Sequence, residues 1–439
     1  MMLQLPNLPA ATRRTASRRS FLGSAGGAVA LGTVALASPR LALAAPGNPG
    51  TGDALVVVFL RGGADGLSLT PPYGYPSYRQ LRPTIAIPPP DDPGGALPLT
   101  SVDNPNAVFP SGIDGVIGLH PAFAPLHQTL WQQGRLAIIP AAGLPASESR
   151  TRSHFEAERY WERGSASGSI RSGWLNRAVA AQGLTSPLPV VNKSNQNQDI
   201  SDGPAKTLSV ADLRNFGIDG YRSRTRARTV LDALYLGDNG SVGATGTDLL
   251  SVVDQLDALD ATPDPSYPNT KLGRDLQQVA IMLRSGLGLH AAAVEFGGWD
   301  HHDGLGVPGD TQGRFHRRAA ELAASLRAFT DDLDSDGALD ETSILVITEF
   351  GRTINENGSG GTDHGRATTI MAMGGGIQGG VFGDDYSSVI ADDPTEGDLT
   401  VLTDFRKAVA EILERRAGIS IGSVFPTYAA PPTRLGLTR

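Results

Sequence analysis

The residues best suited to chemistry follow a short apolar run, Ala291 to Phe296, that reads as a buried strand. Potential metal ligands come a few residues later, on an extended and glycine-rich segment. Consecutive residues of an extended segment point to opposite sides, so Asp300 and His302 can share one centre while His301 faces away. Carboxylates suit hard divalent ions, and imidazole suits zinc or manganese. The cluster predicts a metal site, with a purely structural loop as the alternative.

A second set of candidate ligands follows the strand predicted at Ile344 to Ile347. Glu349 comes directly after this strand, and Asp363 and His364 lie on a glycine-rich return toward a second apolar run. In α/β proteins, ligand chemistry collects beyond the carboxyl ends of parallel strands. These three side chains are therefore further candidate metal ligands.

A third candidate ligand is Asp65, which follows the unbroken apolar run Leu55 to Leu60. A run of this length and composition predicts a central strand of a parallel sheet, buried on both faces. The glycines around Asp65 would let a ligand approach the backbone. A turn aspartate is an equally good interpretation.

The candidate catalytic residues are Arg152, Ser153 and His154, at the start of a predicted helix. Ser153 with Glu156 three residues later fits a capping box, which would be a structural feature only. The functional alternative makes Ser153 a nucleophile at a helix N-terminus, where backbone amides favour a bound anion. Arg152 would then contact phosphate or sulfate oxygens.

One acidic segment imitates a calcium loop. Asp332 to Asp340 matches the first nine positions, but Ser343 occupies the twelfth, where that loop needs a bidentate glutamate. We therefore interpret the segment as an acidic turn between a helix and a strand.

The elements that must position these residues indicate an α/β fold. Apolar runs of strand length, of which Leu55 to Leu60 fits the middle of a parallel sheet, occur together with segments of helical spacing and with loop and helical insertions. We predict a single domain over residues 45–439, with a helical insertion around 195–286 that carries no evident chemistry.

Residues 1–44 form a predicted targeting segment with five arginines, no acidic residue and an apolar stretch. Ser17 to Leu22 closely matches a twin-arginine export signal, and Ala42 to Ala44 fits a signal peptidase site. A membrane anchor is the alternative, because the apolar stretch is nearly long enough to span. We expect the twin-arginine translocase as an export partner, a periplasmic or secreted location, and no transmembrane segment in the mature chain.

Charge and cysteine content exclude several classes. Without the five arginines, 32 basic residues remain against 45 acidic ones, a net charge of about −13. This balance argues against nucleic acid as a partner. The chain has no cysteine, so any metal must be held by oxygen and imidazole ligands.

Several separated motifs carry a family resemblance. They occur in order and cover most of the mature chain: RGGADG, GLHPAFAPL, RSHFEAERYWERG, GGWDHHD, ITEFGRTINENGSGGTDHG, MGGGIQGGVFGD and LTDFR. Taken together they resemble the exported family called domain of unknown function 1501, which is grouped with the alkaline phosphatase and sulfatase superfamily. The resemblance implies a central, mostly parallel sheet flanked by helices.

The resemblance implies an alkaline phosphatase-like sheet with one or two divalent ions (zinc, manganese, magnesium or calcium) at strand ends. It implies that Asp65 and Glu349 serve one metal and that Asp300, His302 (or His301) and His364 serve the other. Ser153 would lie between them. Phe350 departs from the pattern, because it stands where a histidine ligand is expected and a phenyl ring cannot bind a metal.

Two functions follow as hypotheses. The first is an exported metal-dependent hydrolase of phosphate or sulfate esters, with a small-molecule or glycan ester as substrate. The second is a non-catalytic secreted binding protein on the same scaffold, which the substitution at Phe350 favours.

Overall fold

The fold is described from a computed structural model, which covers residues 53–217, 224–238, 240–383 and 397–439. The predicted targeting segment, residues 1–44, lies outside the described residues. Among the described residues, no helix is both long enough and apolar enough to cross a membrane.

A nine-stranded sheet forms the centre of the described structure. Its strands are β1 (Ala54–Arg61), β4 (Leu136–Gly143), β5 (Val190–Lys193), β6 (Thr207–Ser209), β7 (Ala291–Gly297), β8 (Thr342–Thr348), β9 (Thr368–Gly374), β10 (Gly380–Val381) and β11 (Thr403–Asp404). The order is β10-β4-β9-β8-β1-β7-β5-β6, with β11 also paired to β4. All pairings are parallel except those of β9 with β4 and β8. The remaining strands, β2 (Leu97–Pro98) and β3 (Gly118–Leu119), form a small antiparallel sheet.

Strand β1 is buried on both faces, as its composition predicts. Val56, Val58 and Leu60 belong to the hydrophobic core on one side of the sheet. Val57 and Phe59 belong to the core on the other side. Each fully buried side chain of this kind contributes about 1.5–3 kcal/mol, so the two cores fix β1 at the centre of the sheet.

Helices cover both faces of the sheet. The α-helices are α1 (Gly66–Leu69), α2 (Pro76–Leu81), α3 (Ala124–Leu126), α4 (His154–Arg163), α5 (Trp174–Ala181), α6 (Arg224–Leu236), α7 (Ser241–Asp257), α8 (Lys271–Arg284), α9 (Arg314–Asp334), α10 (Phe405–Ala417) and α11 (Ile421–Val424). Short 3₁₀ helices span Pro121–Phe123, Asp199–Ser201, Leu213–Asn215 and Ala338–Glu341, and a π-helix spans His127–Trp131. Helices α8 and α9 pack on one core, whereas α5 and α10 pack on the other. The predicted mixed α/β fold with a mostly parallel central sheet flanked by helices is confirmed.

The region predicted as a helical insertion, residues 195–286, contributes to several parts of the structure. Helices α6 and α7 pack on each other through a small cluster of Ala227, Leu231 and Leu250. Helix α8 instead joins the main core, and β6 extends the edge of the sheet. The region is therefore helical in large part and is built into the sheet and the core at both ends.

The acidic segment after α9 is neutralised by arginines. Arg284 forms ion pairs with two of its carboxylates, and Arg135 forms ion pairs with two others: Asp332 and Asp336, and Asp334 and Asp340. The carboxylates that a calcium ion would need are thus already paired. This supports the interpretation of the segment as an acidic turn.

Candidate metal centre

The candidate ligands meet at the carboxyl edge of the parallel strands. Strands β7 and β8 lie on either side of β1 and run in the same direction, so the loops that follow them emerge together. Asp300 and His302 lie on the loop after β7, His364 on the return to β9, and His154 is the first residue of α4. Three separate segments of the chain therefore supply one site.

Two glycines allow these loops to approach each other. Gly62, directly after β1, has a φ of +117°, and a Cβ atom there would lie 2.5 Å from the backbone nitrogen of Asp300. A Cβ atom on Gly361 would lie 2.4 Å from the backbone carbonyl carbon of His302. Both separations are shorter than real side chains tolerate, so a larger residue would push the ligand loop away.

The site centres on Asp300 and three imidazoles. His154, Asp300 and His364 each offer a ligand atom, and these atoms lie within 4.8 Å of one another. His302 Nε2 lies 3.1 Å from Asp300 Oδ1 and 2.8 Å from His364 Nε2. His154 Nε2 lies 3.5 Å from Asp300 Oδ2. His154, Asp300 and His364 are thus close enough to share one cation, and His302 Nε2 lies beside them as a fourth candidate ligand.

The second nitrogen of each ring is held by an acceptor. His154 Nδ1 lies 2.7 Å from Glu349 Oε1, and His302 Nδ1 lies 3.2 Å from Asp363 Oδ1. His364 Nδ1 lies 2.7 Å from the carbonyl oxygen of Arg152. An ionised carboxylate or a carbonyl only accepts, so in each neutral ring Nδ1 carries the proton and Nε2 presents a lone pair to the cluster.

This arrangement of protons tests whether the residues suit a metal. In the neutral rings, two lone pairs on His302 and His364 would face each other at 2.8 Å, which is favourable only with a proton or a metal ion between them. His154 Nε2 is buried and has no hydrogen-bond partner among the described residues. Imidazoles fixed in this tautomer by carboxylate or carbonyl acceptors are the usual surroundings of a protein-bound metal. The donor set therefore fits a divalent ion of the zinc or manganese type.

Glu349 lies behind His154. Its side chain is fully buried, and Oε1 accepts hydrogen bonds from His154 and from the Gly62 amide. Burial alone would raise the pKa of Glu349, but the hydrogen bonds from His154, Gly62 and Thr348 hold it below its usual range. The hydrogen bond to Glu349 in turn raises the pKa of His154. In this structure Glu349 orients a candidate ligand, as Asp363 does for His302.

Phe350 forms the floor of the site. Its ring is buried and packs against His154 and His364, with ring centroids 4.7 and 4.9 Å apart. The position at which the resemblance implies a histidine ligand therefore carries a ring that supports two other histidines.

Asp65 lies outside the cluster, because its carboxylate is occupied elsewhere. It caps α1 by accepting hydrogen bonds from the backbone amides of Leu67 and Ser68. Its other oxygen receives Arg82 Nη1 at 2.7 Å, and both side chains are almost fully buried. The interpretation of Asp65 as a structural turn residue describes its surroundings better than the interpretation as a metal ligand.

His301 also lies outside the cluster. It points away from Asp300 and His302, as alternation along an extended segment predicts, and packs against Trp299 and Phe315 in the core. Burial lowers the pKa of His301 to about 4. This ring is therefore neutral at physiological pH.

Ser153 takes the N-cap position of α4, but the predicted capping box is wrong. Its side chain makes no cap hydrogen bond. Glu156 accepts a hydrogen bond from the hydroxyl of Thr151 instead. Ser153 directly precedes His154, yet the structure gives its hydroxyl no hydrogen bond to the cluster among the described residues. Its role as a nucleophile stays a prediction.

The arginines near the site are engaged with acids. Arg152 donates to Asp398 at 2.7 Å, while its carbonyl oxygen holds His364. Arg61, at the end of β1, forms ion pairs with three glutamates: Glu158, Glu162 and Glu295. Arg61 would have to leave its glutamates to hold a substrate anion. Arg152 is paired through Nη2 alone and its side chain is 47% exposed, so its other donors can reach an anion.

Arg352 is a site residue that the sequence did not indicate. Its Nη2 donates to Asp300 Oδ1 at 2.6 Å, and its side chain is fully buried. Burial would raise the pKa of Asp300, but Arg352 holds it below its usual range. The only available signal was an arginine three residues beyond the strand-end Glu349, which does not distinguish a buried arginine from a surface one.

Comparisons with known proteins identify a family and distant structural relatives. Residues 142–404 match a family model described as a protein of unknown function, DUF1501. No curated protein matches the sequence. The chain is similar to the lipoteichoic acid synthase LtaP from Listeria monocytogenes, at 10% identity and a TM-score of 0.28, over 83% of this chain and 76% of that chain. It is also similar to the alkaline phosphatase of the Antarctic bacterium TAB5, at 10% identity and a TM-score of 0.28, over 76% of this chain and 95% of that chain. Similarities this weak assign no role to any residue of this chain.

Proposed function

The chain belongs to the DUF1501 family of proteins of unknown function, and from the geometry of its site we propose that it is an exported, metal-dependent hydrolase of phosphate or sulfate esters. The observation that carries the proposal is the convergence of three imidazole Nε2 atoms on one carboxylate, with each Nδ1 held by an acceptor. A site that only stabilised the fold would not need three imidazoles in one tautomer.

His154, His302, His364 and Asp300 would hold the ion. Such an ion lowers the pKa of bound water and polarises a phosphoryl or sulfuryl oxygen. Asp300 and His302 are nearly half exposed, at 47% and 44% of their side-chain surface, so an ester can approach from solvent on this side. Phe350 packs against the rings of His154 and His364 and supports them from the protein interior.

The protein's own groups hold protons at defined atoms. Glu349 retains the proton on Nδ1 of His154, and the carbonyl of Arg152 does the same for His364. Ser153, at the start of α4, is the candidate nucleophile that this chain supplies, and its hydroxyl is free of a cap hydrogen bond. If water attacks instead, replacing Ser153 with alanine will leave turnover nearly unchanged.

The proposal is tested on protein purified without chelators. Metal content is measured by plasma emission, and turnover is measured with aryl phosphates and aryl sulfates. We expect a bound divalent ion, and we expect the double variant Asp300→Asn/His364→Gln to lose the ion and more than about a hundredfold of turnover, since even outer partners of a metal are worth 10–100-fold. The variant Asp310→Asn/His316→Gln removes the same residue types outside the cluster and serves as the control. Absence of metal, or equal turnover in both double variants, contradicts the proposal.

A second candidate function is supported by the ion pairs that Arg61 forms with glutamates. Hydrolases of charged esters use arginine or lysine to hold non-bridging oxygens, whereas Arg61 is paired with three glutamates. A secreted protein that binds a ligand through the metal without turnover would need no such group. Metal content equal to the chain concentration, with no turnover of either ester class, would favour this alternative.

A further inference from the structure

Arg352 joins the three loops that build the candidate metal centre. Its Nε donates to the carbonyl oxygen of Gly63 at 2.6 Å, and its Nη1 donates to that of Thr362 at 3.0 Å. Its Nη2 donates both to the carbonyl of Gly62 and to Asp300 Oδ1. One planar guanidinium thus connects the loop after β1, the loop after β7 and the loop between β8 and β9.

The bond to Arg352 restricts what Asp300 can do. A carboxylate can bridge two cations when both of its oxygens are free, but Oδ1 already accepts a charged donor at 2.6 Å. The positive charge of Arg352 also lies fully buried beside the cluster. Oδ2, which faces His154, is the oxygen of Asp300 that accepts no hydrogen bond from Arg352.

The other carboxylates near the loops are also unavailable to a second ion. Glu349 accepts hydrogen bonds on both oxygens. Oε1 accepts from His154 and from the Gly62 amide, and Oε2 accepts from the Thr348 hydroxyl. Asp65 is occupied by its helix cap and by Arg82. Asp363 contacts Nδ1 of His302, on the side of the ring away from Nε2. Among the described residues, Asp300 is therefore the carboxylate that the three Nε2 atoms face, and it is held by Arg352.

We propose that Arg352 is the positioning residue that orients Asp300 and makes this a site for a single cation. The inference rests on the proposed metal site and deepens it. The guanidinium is suited to this task, because its fixed fork of donors reaches three carbonyls and a carboxylate in different directions at once. A lysine at this position would carry its charge on one nitrogen and could not make the same hydrogen bonds to the carbonyls and to Asp300 together.

The first measurement uses the unmodified protein. Chain stripped of metal is titrated with Zn²⁺ and with Mn²⁺, and the number of bound ions is read by calorimetry and plasma emission. The inference predicts one ion per chain even in excess metal. Two ions per chain would overturn the inference and leave the proposed hydrolase intact, whereas no binding would remove the proposed metal site itself.

The second measurement compares Arg352→Lys with Arg82→Lys. Both arginines are fully buried, both are paired with an aspartate, and both donate to backbone carbonyls, so the loss of packing is matched. We expect Arg352→Lys to weaken Zn²⁺ affinity by about 10–100-fold, the usual effect of losing an outer partner of a ligand. We expect Arg82→Lys to change it less than about threefold.

The result is interpreted together with the thermal stability of each variant. If affinity falls only for Arg352→Lys while both variants lose similar stability, the positioning role is supported. If both variants keep their affinity, or lose it equally, the role is refuted. Should Arg352→Lys not fold, the stoichiometry of the unmodified protein still decides between one cation and two.

Discussion

At the scale of single residues, the three candidate imidazole ligands differ in what holds their Nδ1 proton. His154 faces the buried carboxylate of Glu349, and this hydrogen bond raises the pKa of His154. His364 faces a neutral carbonyl, and burial lowers the pKa of His364. A negative acceptor stabilises the imidazolium, whereas a carbonyl in a buried setting does so less. Protons therefore compete with a metal more strongly at His154 than at His364.

We predict that metal affinity falls as pH is lowered through the raised pKa of His154. A metal binds only the neutral ring, so the apparent Kd for Zn²⁺ rises about tenfold per pH unit for each imidazole that must lose a proton. In the metal-free protein, lowering the pH through the same pKa instead increases the stability of the fold. The ion pair of His154 with Glu349 adds stability below the unfolded pKa of about 6.5 and is lost as pH rises through the higher folded pKa.

Calorimetric titration between pH 5 and 8 checks this prediction. In the variant Glu349→Gln the pKa of His154 loses its main support, so the fall in affinity should begin at a lower pH than in the unmodified protein. A Kd that does not change over this range, or an equal onset in both proteins, would contradict the assignment of His154 as a ligand.

At the scale of elements, side chains at helix starts fix where the loops turn. Asp65 caps α1, Thr270 caps α8 and Asp404 caps α10, each by accepting hydrogen bonds from backbone amides. His120 does the same for the 3₁₀ helix Pro121–Phe123, through Nδ1 at 3.1 Å from the Ala122 nitrogen. An imidazole can cap in this way only while Nδ1 is unprotonated. The start of this helix is therefore sensitive to acid.

We predict that His120 makes the protein lose stability as pH falls below about 6.5. Burial, with His316 nearby, lowers the pKa of His120 to about 3. The unfolded chain therefore binds a proton that the folded chain does not. The loss is roughly 1.4 kcal/mol per pH unit between these two values, a few kcal/mol in total.

Chemical unfolding at several pH values tests the role of His120. The variant His120→Asn keeps an acceptor for the cap and removes the titrating group. Its free energy of unfolding should fall less steeply between pH 6.5 and 4 than that of the unmodified protein. Equal slopes would show that His120 does not carry the acid sensitivity.

At the scale of the whole molecule, two hydrophobic cores pack on the two faces of one sheet. The loops that follow β1, β7 and β8 leave the sheet at the same edge. Strands β7, β1 and β8 are parallel neighbours, so the residues that follow them emerge on one side. The described helices pack on both faces of the sheet.

We predict that export depends on Arg18 and Arg19, which lie outside the described residues. Replacing both with lysine should retain the protein in the cytoplasm, because the twin-arginine pair is the recognised part of this signal. Replacing Arg13 and Arg14 with lysine changes the same number of arginines outside the motif and should leave export intact. Fractionation of cells with an antibody to the mature chain measures both, and export of the first variant would refute the predicted route.

The sequence by itself determined the fold class and part of the site. Apolar runs such as Leu55 to Leu60 can be buried on both faces only in a sheet covered by helices. Alternation along an extended chain was enough to place Asp300 and His302 together and His301 apart. These inferences depend on local geometry, which does not require knowledge of the distant chain.

Only the tertiary structure decided which polar groups are free to bind a metal. Glu349 lies behind His154, which is 195 residues away in sequence. Arg352 reaches Asp300 across a gap of 52 residues. Asp65 lies outside the site, because its carboxylate caps α1 and pairs with Arg82. Whether a carboxylate can bind a metal depends on which hydrogen-bond donors surround it. Those donors come from distant segments of the chain, and no local sequence pattern shows that these segments come together.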